Sequence, residues 1–174
     1  PFIRVPELVA EFCTRRVLTQ QLVDGLRWAE TGDAPADLRD RWGEAIFRFA
    51  IGSLRRYGWF NGDPHPGNYL FHPDGTVTFL DFGCVRRFSA DQVRWIREAV
   101  QHAVDGAAEA LLNDFHSGGM VDPSDDLAAA DLLAWFRLTL RPCVAPQPFT
   151  YTTEFARDVV ADGFSPFGPY ASVV

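Results

Sequence analysis

Asn61-Gly62-Asp63-Pro64-His65-Pro66-Gly67-Asn68, followed further on by Asp81-Phe82-Gly83, is the stretch on which the reading of this chain turns. Asp63 and Asn68 stand five positions apart, and Asp81 lies thirteen beyond Asn68. Kinase-type phosphoryl transfer needs a carboxylate beside the attacking hydroxyl and two oxygen ligands that hold Mg²⁺ against the phosphates. Asp63, Asn68 and Asp81 supply those groups in that order. Singly, each has an ordinary structural role: a turn carboxylate before Pro64, a loop amide bonding its own backbone, a turn residue before Gly83. Together, at both spacings, they point to a site.

The segments around the stretch say how it is held. Two prolines and a glycine in residues 63–68 predict an ordered loop. Tyr69-Leu70-Phe71, the turn Pro73-Asp74-Gly75 and the run Thr76–Leu80 predict a β-hairpin with Asn68 at its entry and Asp81 at its exit. A hairpin brings its two ends side by side, so both side chains can reach one ion. Upstream, apolar residues recur at Leu38, Trp42, Ile46, Phe49, Leu54 and Tyr57, with arginines on the opposite face. This predicts a helix over Asp37–Tyr57 that stops at Gly58. Nearer the start, Glu7–Cys13 and Val17–Val23 read as short strands around Thr14-Arg15-Arg16, with a short helix after Asp24-Gly25.

Beyond the stretch, Ser89-Ala90-Asp91-Gln92 has the form of a capping box and opens a helix to about Val104. Further helices are expected over Asp105–Phe115, Pro123–Leu140 (ended by Pro142) and Thr153–Ala161, with an irregular tail over Gly163–Val174. The fold class is therefore α+β, mainly helical.

Composition bounds the alternatives. The chain has 174 residues, 47% of them hydrophobic and 14% aromatic, which fits a packed domain. Its 23 acidic residues against 16 basic ones leave a net charge of −7, so a nucleic-acid surface is not expected. All the basic residues are arginine. No apolar run approaches the roughly 18 residues of a membrane span, and the first residues carry no signal-peptide pattern. Met120 is the only methionine, which suggests a fragment or processed piece. Cys13, Cys84 and Cys143 are odd in number and far apart, and read as reduced, mostly buried thiols of a cytosolic protein.

Among the remaining polar residues, His65 is expected to brace the loop beside Asp63, and His72 to lie solvated at the hairpin turn. His102 and His116, on later helices, form no ligand set with each other. The pairs Arg15-Arg16 and Arg55-Arg56 read as solvated faces. Arg86-Arg87, just past Asp81, is the pair placed to meet a phosphate or an acidic partner.

The loop at 63–68 and the Leu80-Asp81-Phe82-Gly83 segment resemble the ABC1/AarF family of atypical kinases, which includes the UbiB- and Coq8-type proteins of quinone biosynthesis. The likeness reaches upstream to Val5-Pro6-Glu7, Thr14–Thr19 and Leu22-Val23-Asp24-Gly25. It implies a protein-kinase-like C-lobe with hinge strands and a small catalytic-loop β-hairpin. Residues 1–25 would be the end of the N-lobe strands and the hinge, and residues 26–174 a single compact C-lobe, with the N-lobe absent. It implies that Asp63 is the catalytic-loop aspartate, Asn68 the metal-binding asparagine and Asp81 the second metal ligand. Gln20, Gln21, Leu22 and Val23 would fall on the hinge that meets adenine through backbone groups. ATP and Mg²⁺ follow as cofactors, with ATPase behaviour more than protein phosphorylation. An isoprenoid or quinone-precursor lipid follows as partner, and a cytoplasmic location with transient peripheral contact with a membrane. Two departures stand out: the family's phosphate-pairing lysine has no counterpart in a chain without lysine, and Asn61-Gly62 replaces the commoner His-Ala. Two alternatives remain beside this reading. One is a small-molecule kinase of the aminoglycoside-phosphotransferase type, where Gly-Asp precedes a similar loop. The other is a non-catalytic binding scaffold that keeps the loop.

Overall fold

The first strand of the chain, β1 (Ile3–Arg4), lies parallel on a hairpin strand more than seventy residues later, pairing Ile3 with Val77 and Arg4 with Thr78. The structure is a computed structural model that describes residues 2–146, 149–165, 169, 170 and 173. Cα packing divides the chain into two compact units, Pro1–Ser89 and Ala90–Val174.

In the first unit, α1 (Ala36–Tyr57) forms where the apolar stripe predicted it, and buries Trp42 and Ala45. It ends because Gly58 adopts a left-handed conformation (φ 68°) and donates its N–H to the carbonyls of Leu54 and Ser53. That caps carbonyls a helix end would otherwise leave unpaired. The chain then turns into β2 (Trp59–Asn61), passes the loop, and enters the hairpin of β3 (Tyr69–Phe71) and β4 (Val77–Phe79). Tyr69 pairs with Phe79, Leu70 with Thr78 and Phe71 with Val77. The turn is fixed by Asp74, whose Oδ1 accepts from the N–H (3.0 Å) and hydroxyl (2.7 Å) of Thr76. A last strand, β5 (Val85–Arg87), runs antiparallel to β2.

Both hairpin strands are buried on both faces, and aromatic side chains make the core. Phe79 stacks on Phe49 of α1 at 3.8 Å, and Phe71 meets Trp42 edge-on at 5.3 Å between centroids. Each such ring contributes roughly 1.5–3 kcal/mol by burial. The indole N–H of Trp42 also donates to the His72 carbonyl at 2.9 Å, which ties the helix to the end of β3.

The second unit is helical: α2 (Ala90–Asp105), α3 (Ala108–Ser117), α4 (Ala129–Thr139), α5 (Arg141–Val144), α6 (Thr153–Asp158) and a π-helical turn at Val159–Gly163. Its core gathers Ala99, Ala103, Leu111, Phe115 and Leu132.

Three expectations are corrected. Glu7–Cys13 and Val17–Val23 do not form strands; they share one antiparallel bridge, Leu8 to Gln20, and Ala10–Phe12 is a 3₁₀ turn. Backbone bonds flank that bridge, from the Val9 N–H to the Thr19 carbonyl (2.9 Å) and from the Gln21 N–H to the Glu7 carbonyl (2.8 Å). Beyond it side-chain bonds take over, the Thr19 hydroxyl donating to the Phe12 carbonyl and the Cys13 thiol to the Thr19 carbonyl. The helix expected over Pro123–Leu140 starts only at Ala129, because Asp122 binds the N–H and hydroxyl of Ser124 and keeps that segment in a turn. The same helix ends at Thr139, as expected just before Pro142, which sits in the first turn of α5, where its missing N–H costs nothing. His72 is buried, not solvated, and shares a 2.7 Å hydrogen bond between its Nε2 and the Thr78 hydroxyl. Part of the tail expected to be irregular lies outside the described residues.

Candidate active site

Two loops carry the chemistry, and strands hold both ends of each. Residues 62–68 connect β2 to β3, and residues 80–84 connect β4 to β5. Since β2 pairs with β5 and β3 with β4, the loops leave one pair of neighbouring strands and enter another. Three further bonds join them. The Leu80 N–H donates to the Asn68 carbonyl (2.9 Å), the Gly62 N–H to the Cys84 carbonyl (3.0 Å), and the Asn61 side-chain amide to the Asp81 carbonyl (3.1 Å). Asn68 is thereby bonded to the residue that precedes Asp81. All three candidate residues lie within this double loop.

Asp63 is exposed, and its N–H donates to the Asn61 Oδ1 at 3.1 Å. Asn61 therefore grips the backbone of both acid-bearing loops with one carboxamide. The Asp63 carboxylate itself has no hydrogen-bond or ion-pair partner among the described residues. Its charge is felt by Tyr69, whose hydroxyl is pushed above its ordinary pKa first by burial and then by Asp63. His65 braces the loop as expected: its Nδ1 accepts from the Gly67 N–H (3.0 Å) and its carbonyl from the Asn68 N–H (2.9 Å). The result is one 3₁₀ turn over Pro66–Asn68, with Asn68 half-buried and its carboxamide unengaged among the described residues.

Asp81 is exposed, and its Oδ1 accepts from the Gly83 N–H at 2.8 Å. That bond orients the carboxylate and leaves Oδ2 for a ligand. A carboxylate and an amide carbonyl are hard oxygen donors of the kind Mg²⁺ takes when phosphates and water complete its shell. Among the described residues, no three His, Cys, Asp or Glu side chains gather in a way that could hold a metal ion. The pair Asn68 and Asp81 suits a metal shared with a phosphorylated ligand better than one caged by protein alone.

The predicted adenine-contacting residues lie elsewhere in the same unit. Gln20 bridges Leu8, the Gln21 N–H donates to the Glu7 carbonyl, Leu22 is almost fully exposed and Val23 is half-buried. Leu26, three residues on, bridges Phe71, so this segment is tied to the outer edge of the site hairpin. Cys84 is exposed, against the expectation of mostly buried thiols; it lies in the loop rather than in a core, with its carbonyl serving Gly62. Sequence reasoning missed Asn61 as a bridge. Its place two residues before Asp63 was visible, but not the two opposed bonds of its side chain.

Residues 1–115 match the family described as the ABC1 atypical kinase-like domain, a span that contains every residue of the double loop. The chain belongs to the ABC1 atypical kinase-like family. It is 31% identical over 131 residues to Protein ACTIVITY OF BC1 COMPLEX KINASE 1, chloroplastic, of Arabidopsis thaliana, covering 74% of this chain and 19% of the relative. It is 32% identical over 113 residues to the mitochondrial atypical kinase COQ8B of Rattus norvegicus, covering 64% of this chain and 21% of that protein. The chain thus spans about a fifth of the length of the curated relatives it matches. Among solved structures it is similar to Rv3197 of Mycobacterium tuberculosis, determined as a complex with erythromycin. The TM-score is 0.69 at 24% identity, over 91% of this chain and 40% of that one. The fold is kinase-like α+β, as the ABC1 resemblance implied. Among the described residues, no helix is long and apolar enough to cross a membrane.

Proposed function

We propose that this chain carries the catalytic loop and metal ligands of an ATP- and Mg²⁺-dependent ABC1-type atypical kinase or ATPase. The observation that carries the reading is the Leu80–Asn68 backbone bond, which sets Asn68 beside Asp81 while both side chains keep an oxygen free. Asp63 takes the role of the group that orients the attacking hydroxyl or water and accepts its proton. Asn68 and Asp81 hold the Mg²⁺, which when bound offsets charge on the transferring phosphoryl group. The backbone of Gln20, Gln21, Leu22 and Val23 serves adenine. Residues 1–25 act as the hinge region, and residues 26–174 as the lobe that bears the site. With no lysine in the chain, the cation that pairs with the nucleotide phosphates comes from an arginine or from residues outside this sequence.

The chain's place in the ABC1 family, with COQ8B among its relatives, favours an isoprenoid or quinone-precursor lipid as partner. The reading takes the domain to act in the cytoplasm, peripheral to a membrane, although the matched relatives carry chloroplastic and mitochondrial names, and takes turnover to be hydrolytic more than directed at protein substrates.

The test compares the full-length protein with two variants. Asp81→Asn is expected to abolish both turnover and the Mg²⁺-dependent rise in melting temperature with ATP, since only a ligand bound to the folded state produces that rise. Asp63→Asn is expected to lose turnover, on the order of a hundredfold or more, while keeping the rise. If Asp81→Asn retains both, the metal assignment is wrong; if Asp63→Asn turns over normally, so is the role of Asp63. A protein whose melting point does not respond to MgATP acts as a scaffold.

A further inference from the structure

Four arginines lie on adjoining elements at one corner of the first unit, with Arg87 on the Trp59 face of the β2–β5 ribbon and Arg86 on the Phe60 face. Arg55 and Arg56 form the last turn of α1, the Gly58 cap reverses the chain into β2, and Trp59 and Phe60 pair with Arg87 and Arg86 across to β5. A backbone bond from the Phe88 N–H to the Gly58 carbonyl (2.7 Å) closes the corner. All four arginines are exposed, and none forms an ion pair among the described residues. No acidic residue occurs between 45 and 62 or between 82 and 90. In a chain of net charge −7, this is a concentration of uncompensated positive charge. Two aromatic side chains stand among the arginines, Tyr57 (69% exposed) and Trp59 (45%), and the Arg87 guanidinium lies over the Trp59 ring.

From this geometry we infer that the corner is a docking surface for an acidic protein segment. Tyr, Trp and Arg are the residues that carry most of the affinity in protein interfaces, and the arginine fork binds carboxylates through two parallel hydrogen bonds. β5 pairs only with β2 among the described strands, so an extended partner also meets an unpaired strand edge. An anionic membrane is the competing occupant: at roughly a fivefold gain in partitioning per arginine, four give on the order of several hundredfold, and Ile51 on α1 and Phe82 before β5 are exposed. A protein segment is favoured because it alone can also pair along the outer edge of β5. The ribbon that forms the corner also carries Asn61, so an occupied corner sits one strand's length from the double loop.

The experiment measures anisotropy of a fluorescein-labelled oligoglutamate peptide added to the full-length protein at low salt. Arg86→Gln with Arg87→Gln is expected to weaken binding about tenfold or more. The same change at Arg15 and Arg16, which are also exposed and without ion pairs, is expected to leave it unaltered. Arg86→Lys with Arg87→Lys keeps the charge but loses the fork, and is expected to fall between them with an unchanged melting temperature. Equal weakening by both arginine pairs means diffuse attraction and overturns the proposal. So does no binding of the peptide, and so does binding to phosphatidylserine vesicles in its place.

Discussion

At the scale of single residues, Asn61 connects local chemistry to the site. Its carboxamide accepts from the Asp63 N–H and donates to the Asp81 carbonyl, each at 3.1 Å, so it sets the spacing of the two loops that carry the proposed catalytic and metal-binding residues. Displacement of about 1 Å costs on the order of a hundredfold in rate when reacting groups are held by position alone. Asn61→Ala is therefore expected to lower full-length turnover by that order while the protein stays folded by circular dichroism; undiminished turnover would remove Asn61 from the machinery. His72 illustrates a different residue effect. Burial pushes its pKa below the usual value, Arg4 lowers it further and Asp74 opposes in part. The folded form resists protonation, so between pH 6.5 and the depressed folded pKa the unfolded chain binds the proton first. The contribution of neutral His72 is complete above that window and is lost as pH falls through it. His72→Gln is expected to flatten the stability profile between pH 7 and 5, measured by urea midpoints at successive pH values; a profile identical to the parent's denies His72 this part.

Elements end where backbone geometry forces them to, and the end of α1 is a case. Gly58 holds φ at 68° and supplies the N–H that caps Leu54 and Ser53. A side chain in that left-handed conformation costs roughly 1–2 kcal/mol, so Gly58→Ala is expected to lower the melting temperature by several degrees. An unchanged melting point would mean that the turn reshapes without cost. This helix, the hairpin and the loop between them were legible in the sequence. Each rests on a strong local signal: a 3.6-residue stripe closed by glycine, paired apolar runs about Pro73-Asp74-Gly75, and proline-rich chain between Asp63 and Asn68. The readings that failed rest on bonds that sequence periodicity does not encode. Asp122 holds Ser124 and delays α4, while side-chain bonds of Thr19 and Cys13 cut the pairing near the start short after one bridge. In the site, residue types and spacing were readable. The bonds through Asn61, Gly62 and Leu80 that close the double loop were not, because they join residues twelve to twenty-two positions apart.

On the scale of the whole molecule, each unit owns its core. Trp42, Ala45, Tyr69, Phe71, Val77 and Phe79 form one; Ala99, Ala103, Leu111, Phe115 and Leu132 form the other, and no residue belongs to both. The double loop and the basic corner lie wholly in the first unit, so their geometry depends on the aromatic core beneath the hairpin. Cooperative units of this kind open with different free energies, and hydrogen exchange reads them separately. Leu132 is 1% exposed in the helical core, and Leu132→Ala is expected to cost about 2–5 kcal/mol. In the full-length protein the loss should appear as faster exchange at amides of α2, α3 and α4, with β3 and β4 protected as before. Phe71→Ala, which removes a ring packed against Trp42, should do the reverse: expose the hairpin, release Asn68 from Leu80 and abolish turnover while the helical amides keep their protection. If either substitution accelerates exchange evenly across both sets of amides, the units unfold as one. The site's stability would then be shared with the helical core instead of resting on the hairpin alone.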